Sequence, residues 1–154
     1  MKPNITEAVA PVRLSVMVRA SRPRAFQVFS ERIGDWWPSA THSISGGAVA
    51  TIVMECREGG RILERHKDGG EAPWGVIRKW DPPERLVFSW NPSYEARPET
   101  EVEVSFIAVS ETETRVELEH RDWGALGEPG RAMRDHYEQG WPVVMDNFVE
   151  FASA

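Results

Sequence analysis

The chain has 154 residues, the length of one ordinary domain, and its 41% hydrophobic and 27% charged residues exclude the disordered and fibrous classes. A net charge of −6 at pH 7, without any run of Lys and Arg interleaved with aromatics, argues against nucleic acid as a partner, because a phosphate backbone would repel it. Cys56 is the only cysteine, which excludes an internal disulfide and a cysteine zinc cluster and reads as a buried, inert thiol in a reducing compartment.

Met1 to Glu7 lacks the apolar run of roughly 7–15 residues that a signal peptide needs, and no apolar stretch approaches the ~20 residues that span a bilayer. A cytoplasmic chain without a membrane segment is expected. Val12, Leu14, Val16 and Val18 alternate with Arg13, Ser15 and Met17, the period of a half-buried strand. Ser21 then stands where an N-cap would, Pro23 suits a first helical turn, and Phe26, Phe29 and Ile33 recur on one helical face. The spacing predicts a short helix to about Arg32, ended by Gly34, with an irregular connection from Asp35-Trp36-Trp37-Pro38 to Gly47.

Ala48 to Cys56 and Arg61 to His66 read as the arms of a hairpin about Glu58-Gly59-Gly60, and Lys67-Asp68-Gly69-Gly70 closes the next one. Ala72 to Trp80 and Glu84 to Trp90 flank Asp81-Pro82-Pro83, whose prolines cannot donate to a ladder and therefore mark a turn. Beyond the turn-rich Asn91 to Pro98, Thr100 to Val109 and Thr114 to Arg121 alternate strictly. The many glutamates of these two segments fall opposite Val102, Val104, Val116 and Leu118, which reads as a solvated outer sheet face rather than an acidic docking surface. After a bend from Gly124 to Gly130, Arg131 to Ala152 is helical, with Trp141, Val144, Met145, Phe148 and Ala152 on one stripe and a bend or restart expected at Gly140 to Pro142. The order strand, short helix, six strands, long helix is that of an α+β domain with helices on one side of an antiparallel sheet.

Seven tryptophans are the least ordinary feature, and six of them, Trp36, Trp37, Trp74, Trp90, Trp123 and Trp141, lie at element ends or on the helix stripe. Each could simply pack a corner, yet six large rings whose N–H groups need partners point to a cavity between sheet and helix. Val116, Leu118 and His120 share one strand face by period two, which aims His120 at Trp141; a hydrogen-bonded core histidine is the plainer reading. Glu64 shares a face with Ile62 and His66, pointing either inward, paired, or out to water at a sheet edge. His42, His66, His120 and His136 show no metal-ligand spacing, no phosphate-cradling glycine loop precedes a helix, and neither a nucleophile elbow nor an activated cysteine occurs. No metal and no cofactor are expected.

Taken in order, Trp36-Trp37-Pro38, Gly59-Gly60-Arg61 with Glu64-Arg65, Trp74-Gly75, Trp80-Asp81-Pro82-Pro83 with Arg85-Leu86, Thr114-Arg115-Val116 with Leu118 and His120, and Gly140-Trp141 carry a resemblance. The chain resembles the START-like superfamily, also called SRPBCC or polyketide cyclase-like, and within it the family named for the activator of the heat-shock protein 90 ATPase, from about Val12 to Phe151. The resemblance implies a helix-grip fold: a sheet of about seven antiparallel strands curled around the C-terminal helix, two short helices after the first strand, and a deep cavity between. It also implies that Trp36, Trp37, Glu64, Trp74, Trp90, His120, Trp123, Trp141 and Met145 lie near the cavity or its mouth.

Co-chaperone members of that family carry a separate N-terminal domain for docking, whereas about eleven residues precede the first strand here, so chaperone contact is not expected. The leading expectation is a non-catalytic module binding a small hydrophobic or aromatic molecule. The alternatives are a cyclase- or hydrolase-type enzyme using Glu64 and His120 as acid and base, and a chaperone-associated interaction protein. A homodimer through a strand edge is left open.

Overall fold

A computed structural model describes residues 9–95 and 97–154. The described residues form seven strands: β1 (Val12–Val18), β2 (Val49–Met54), β3 (Arg61–His66), β4 (Glu71–Asp81), β5 (Arg85–Trp90), β6 (Thr100–Ala108) and β7 (Thr114–Arg121). Helices α1 (Arg22–Ser30) and α2 (Ile33–Trp36) follow β1, and α3 (Gly130–Ala152) ends the chain. The strands form one antiparallel sheet in the order β1-β7-β6-β5-β4-β3-β2, a meander whose first strand closes onto its last. This is the helix-grip architecture. Met1 to Glu7, read above for a signal segment, lie outside the described residues.

Register carries the inward face across the sheet. Val12 pairs with His120, His120 with Val102, Val102 with Phe88 and Phe88 with Ile77, so one row of side chains crosses five strands. The pairing shifts by one residue at three places, between Val49 and Thr51 on β2 and, on β4, at Trp74 and again between Ile77 and Lys79. Each extra residue bends its strand and adds twist, which curls the β2–β4 half of the sheet. Across the hollow, Trp141, Val144, Met145, Phe148 and Ala152 of α3 are all buried, as the stripe predicts.

Ser21 caps α1, its Oγ accepting from Arg24 N at 3.3 Å. Gly34 does not end that helix but lies inside α2, where a Cβ would meet Thr51 Oγ1 at 2.3 Å and the Ile52 carbonyl at 2.8 Å. The glycine is there for close approach to β2. Trp36 belongs to α2 rather than to an irregular connection. At the other end, α3 runs unbroken through Pro142, held by buried residues on both sides of it, and does not restart there. On the outer face Arg121 bonds Glu101, Glu103 and Glu119, Arg13 also reaches Glu119, and Arg85 also reaches Glu103, so this part of the acidic strip is neutralised by cross-strand pairs. Cys56 is half-buried rather than buried, and burial pushes its thiol up, which keeps it unreactive. No helix among the described residues is long and apolar enough to cross a membrane.

Candidate functional site

Tryptophan fills much of the space between sheet and helix. The rings of Trp37, Trp74, Trp90 and Trp141 meet one another with centroids 5.0–5.9 Å apart in tilted or edge-on pairs. These geometries set positive ring edges against negative faces. What remains open is a pocket of about 420 Å³ lined by those four rings and Val144, with Thr41, His42, Ser43, His136, Tyr137 and Gln139 supplying polar groups. The deep cavity implied by resemblance is therefore reduced to a pocket between the loop 38–45 and the N-terminal half of α3.

Of the nine residues singled out in the sequence, Trp37, Trp74, Trp90 and Trp141 line this pocket, while Trp36, Glu64, His120, Trp123 and Met145 stand outside its lining. Trp36 packs on Phe29 and Phe148 and gives its N–H to the Val28 carbonyl at 2.9 Å. Trp123 stacks on His120, with centroids 4.0 Å apart, and donates to the His120 carbonyl. Met145 lies wholly inside the core.

Glu64 points inward and is 0% exposed. Its carboxylate accepts from the backbone amides of Ile44 and Ser45, from Trp74 Nε1 at 2.8 Å and from His66 Nε2 at 2.8 Å. The bulge at Trp74 turns that indole onto the carboxylate. Burial acts to raise the pKa, but the donors, led by the Ile44 amide, outweigh it and hold the group below its ordinary range. Glu64 is thus an anchor: it ties β3 and β4 to the loop that carries Thr41, His42 and Ser43.

His120 is 0% exposed as well. Its Nδ1 accepts from Trp141 Nε1 at 3.0 Å, and its Nε2 lies 2.7 Å from Thr100 Oγ1, which itself donates to the Trp90 carbonyl at 3.2 Å. Only the tautomer protonated at Nε2 satisfies this chain. Burial pushes its pKa down to about 3. With both ring nitrogens occupied and outside the pocket lining, His120 offers neither a lone pair nor a proton to a ligand there. The acid–base pair expected of Glu64 and His120 is not assembled: each closes its own network, away from the pocket.

Other groups do face the opening. His42 Nδ1 bonds Thr41 Oγ1 at 2.7 Å, and its Nε2 side turns toward Gly140 of α3. Tyr137 stands one helical turn before Trp141, so extending the Trp141–Val144–Phe148 stripe backwards by four residues would have found it. Thr41, His42 and Ser43 carry no comparable periodic signal because they sit in a loop. Gly140 is a pocket wall within a helix, where glycine costs roughly 0.5–1 kcal/mol relative to alanine. A Cβ there would touch only the His42 ring, at 3.9 Å, so backbone packing does not demand glycine.

Comparison with known proteins adds relatives to this geometry. A family model described as Activator of Hsp90 ATPase homolog 1-like protein matches residues 19–153. No curated protein matches the chain. Among solved structures, the anthrahydroquino-γ-pyrone synthase Txn09 is 32% identical, with 92% of this chain and 96% of that chain covered and a TM-score of 0.64. CalC, a self-sacrificing resistance protein from Micromonospora echinospora, is 29% identical, with 94% of each chain covered and a TM-score of 0.66. CalU16 from the same organism, at 23% identity over 93% of this chain and 76% of that one, shares the fold with a TM-score of 0.64. A helix-grip sheet around α3, a family match over most of the length and a relative at 32% identity together place the chain in the Activator of Hsp90 ATPase homolog 1-like family of the START-like superfamily.

Proposed function

We propose that the protein binds one small hydrophobic molecule in the tryptophan-lined pocket. The observation that carries this reading is that four large rings, each almost wholly buried, border about 420 Å³ that the core leaves unfilled. Interiors otherwise pack to crystal-like density, so an open space of this size bordered by four indoles is suited to a small apolar guest, with the rim polar groups fixing its orientation. Native mass spectrometry of freshly purified protein should show a small-molecule adduct. Titration with anilinonaphthalene dyes or flavonoids should shift tryptophan emission and saturate at about one site per chain, in the micromolar range or about −8 kcal/mol. An absence of saturable binding across a broad library of hydrophobic probes would remove the reading.

A second reading, cyclisation or hydrolysis of a bound aromatic precursor, is favoured by one relative: the 32% identical Txn09 is an anthrahydroquino-γ-pyrone synthase. Acid–base work here would fall to His42, His136 and Tyr137, the titratable groups lining the pocket, rather than to Glu64 and His120. Loss of turnover in His42→Gln with binding retained would support catalysis; binding without turnover of any candidate precursor would leave the module non-catalytic. Chaperone contact has less support. The large hydrophobic residues exposed among those described, Met17, Val76, Tyr94, Val109 and Val143, come from five separate segments of the chain.

A further inference from the structure

The run from Thr41 to Ser45 at the pocket rim divides in two. Thr41, His42 and Ser43 line the pocket, whereas the amides of Ile44 and Ser45 are held by the buried carboxylate of Glu64. The run is fixed at its other end as well: Trp37 Nε1 donates to the His42 carbonyl at 2.7 Å, and the amides of Thr41 and His42 both donate to the Pro38 carbonyl. A loop pinned on both sides holds its lining residues in one arrangement, which is what positions reacting groups.

Thr41 Oγ1 and His42 Nδ1 stand 2.7 Å apart in a bond open to solvent. The other acceptor near the hydroxyl, the Pro38 carbonyl, is 3.4 Å away, so the hydroxyl proton points to the ring. Nδ1 then carries the lone pair and Nε2 the ring proton; Nε2 bonds no other group among the described residues and lies on the side of Gly140. The Ser43 amide gives to no acceptor among the described residues, although the two amides before it and the two after it are all engaged. A hydroxyl bonded to a base, with an unengaged backbone N–H two residues on, is the set of parts that acyl transfer uses.

We propose that Thr41, His42 and the Ser43 amide form an acyl-transfer site at the pocket rim that hydrolyses aryl esters, the aryl part lying in the pocket and the acyl part at Thr41. The proposal rests on the binding reading above and gives its catalytic alternative a nucleophile and a bond to break. Thr41 Oγ1 attacks the ester carbonyl carbon as its proton passes to His42 Nδ1, and the carbonyl oxygen, negative in the tetrahedral intermediate, accepts from the Ser43 N–H. The bond from that carbon to the aryl oxygen then breaks, His42 gives its proton to the departing aryloxide, and an acyl ester remains on Thr41. Water attacks this ester in turn, losing a proton to His42 Nδ1; the carboxylic acid leaves, and the proton returns to Thr41 Oγ1. Thr41 is exposed, so water reaches it without displacing the core.

The full chain can be tested with 1-naphthyl acetate, and with 1-naphthol, which carries the same rings and no acyl group, as the measure of binding alone. Mixing with the ester should release a burst of about one naphthol per chain, and peptide mass spectrometry should place one acetyl group on Thr41. His42→Gln should slow acetylation about 10²–10⁴-fold while 1-naphthol still quenches tryptophan emission, which separates loss of the base from loss of the fold. Thr41→Val should abolish the burst and Thr41→Ser should restore it. A burst that survives in Thr41→Val, or an acetyl group found only on other residues, would overturn the proposal. Binding of 1-naphthol without acetylation of the wild type would overturn it too and leave the binding reading standing, whereas failure of 1-naphthol to bind would overturn both.

Discussion

The indole N–H of Trp141 on α3 donates to Nδ1 of His120 on β7 at 3.0 Å, so a single buried bond joins the gripped helix to the sheet around it. The bond uses the lone pair that protonation would need. A histidinium at this position would face an N–H donor inside a wall of indoles, which explains both why burial pushes its pKa down to about 3 and why the residue serves structure rather than proton transfer.

A pH dependence of stability follows, and its sign is set by that depressed value. Unfolded, His120 titrates near 6.5; folded, at about 3. Between the two the unfolded chain binds more protons, so stability is lost as pH falls below 6.5, by up to about 1.4 kcal/mol per pH unit. The carboxylates held low, Glu55, Glu64, Glu101 and Glu119, start to contribute their own loss only as pH nears their ordinary value of 4.5. Urea midpoints should therefore drop between about pH 6.5 and 4.5, and His120→Gln should flatten that slope. An equal slope in the variant would show that His120 titrates normally.

Glu64 makes the second test. Its four donors come from β3, β4 and the loop at the pocket rim. In Glu64→Gln the new NH₂ must face at least one of those donors, leaving a buried N–H unpaired at a cost of about 1–3 kcal/mol. Chemical denaturation should record that loss, and amide exchange at Ile44 and Ser45 should quicken. Unchanged exchange at those two amides would mean that the loop is held by something else.

Much of the fold was legible because it is periodic. Alternation located β1, β6 and β7 and turn residues bounded the four strands between them, all to within a few residues, and the i, i+3, i+4, i+7 stripe located the buried face of α3 from Trp141 to Phe148. What stayed hidden depends on pairing between segments. Gly34 reads as a helix stop until β2 is seen pressing on it, the bulge at Trp74 exists only relative to β3, and Pro142 reads as a break until residues on both sides are seen buried. The candidate site divides the same way. The tryptophans announced an aromatic interior, but which rings bound the pocket depends on loop residues such as His42, and period two, which put His120 on the inward face and left Glu64 open between core and water, could not reveal that each is closed within its own hydrogen bonds.

Core and surface should separate cleanly on mutation. Phe148 is fully buried against Phe29 and Trp36, with centroids 5.3 and 5.1 Å away, so Phe148→Ala should cost about 3–5 kcal/mol. Glu103 sits on the solvated outer face, paired with Arg85 and Arg121, and Glu103→Ala should cost less than about 1 kcal/mol. Similar losses in thermal or urea unfolding would mean that the two sheet faces are assigned wrongly.

Gly140 allows stability and binding to be pulled in opposite directions. It lies inside α3, where replacing glycine with alanine should stabilise by about 0.5–1 kcal/mol through the helix backbone. No backbone blocks the new methyl: its nearest neighbour is the His42 ring at 3.9 Å, an ordinary contact distance. The methyl would instead occupy part of the pocket, between α3 and the loop that Glu64 anchors. Gly140→Ala should therefore unfold at higher temperature or urea than the wild type while binding hydrophobic probes more weakly, whereas loss through misfolding would lower both together. A variant that is more stable and binds equally well would show that guests do not use the space beside Gly140, and would shift the site toward the Trp90 side of the pocket.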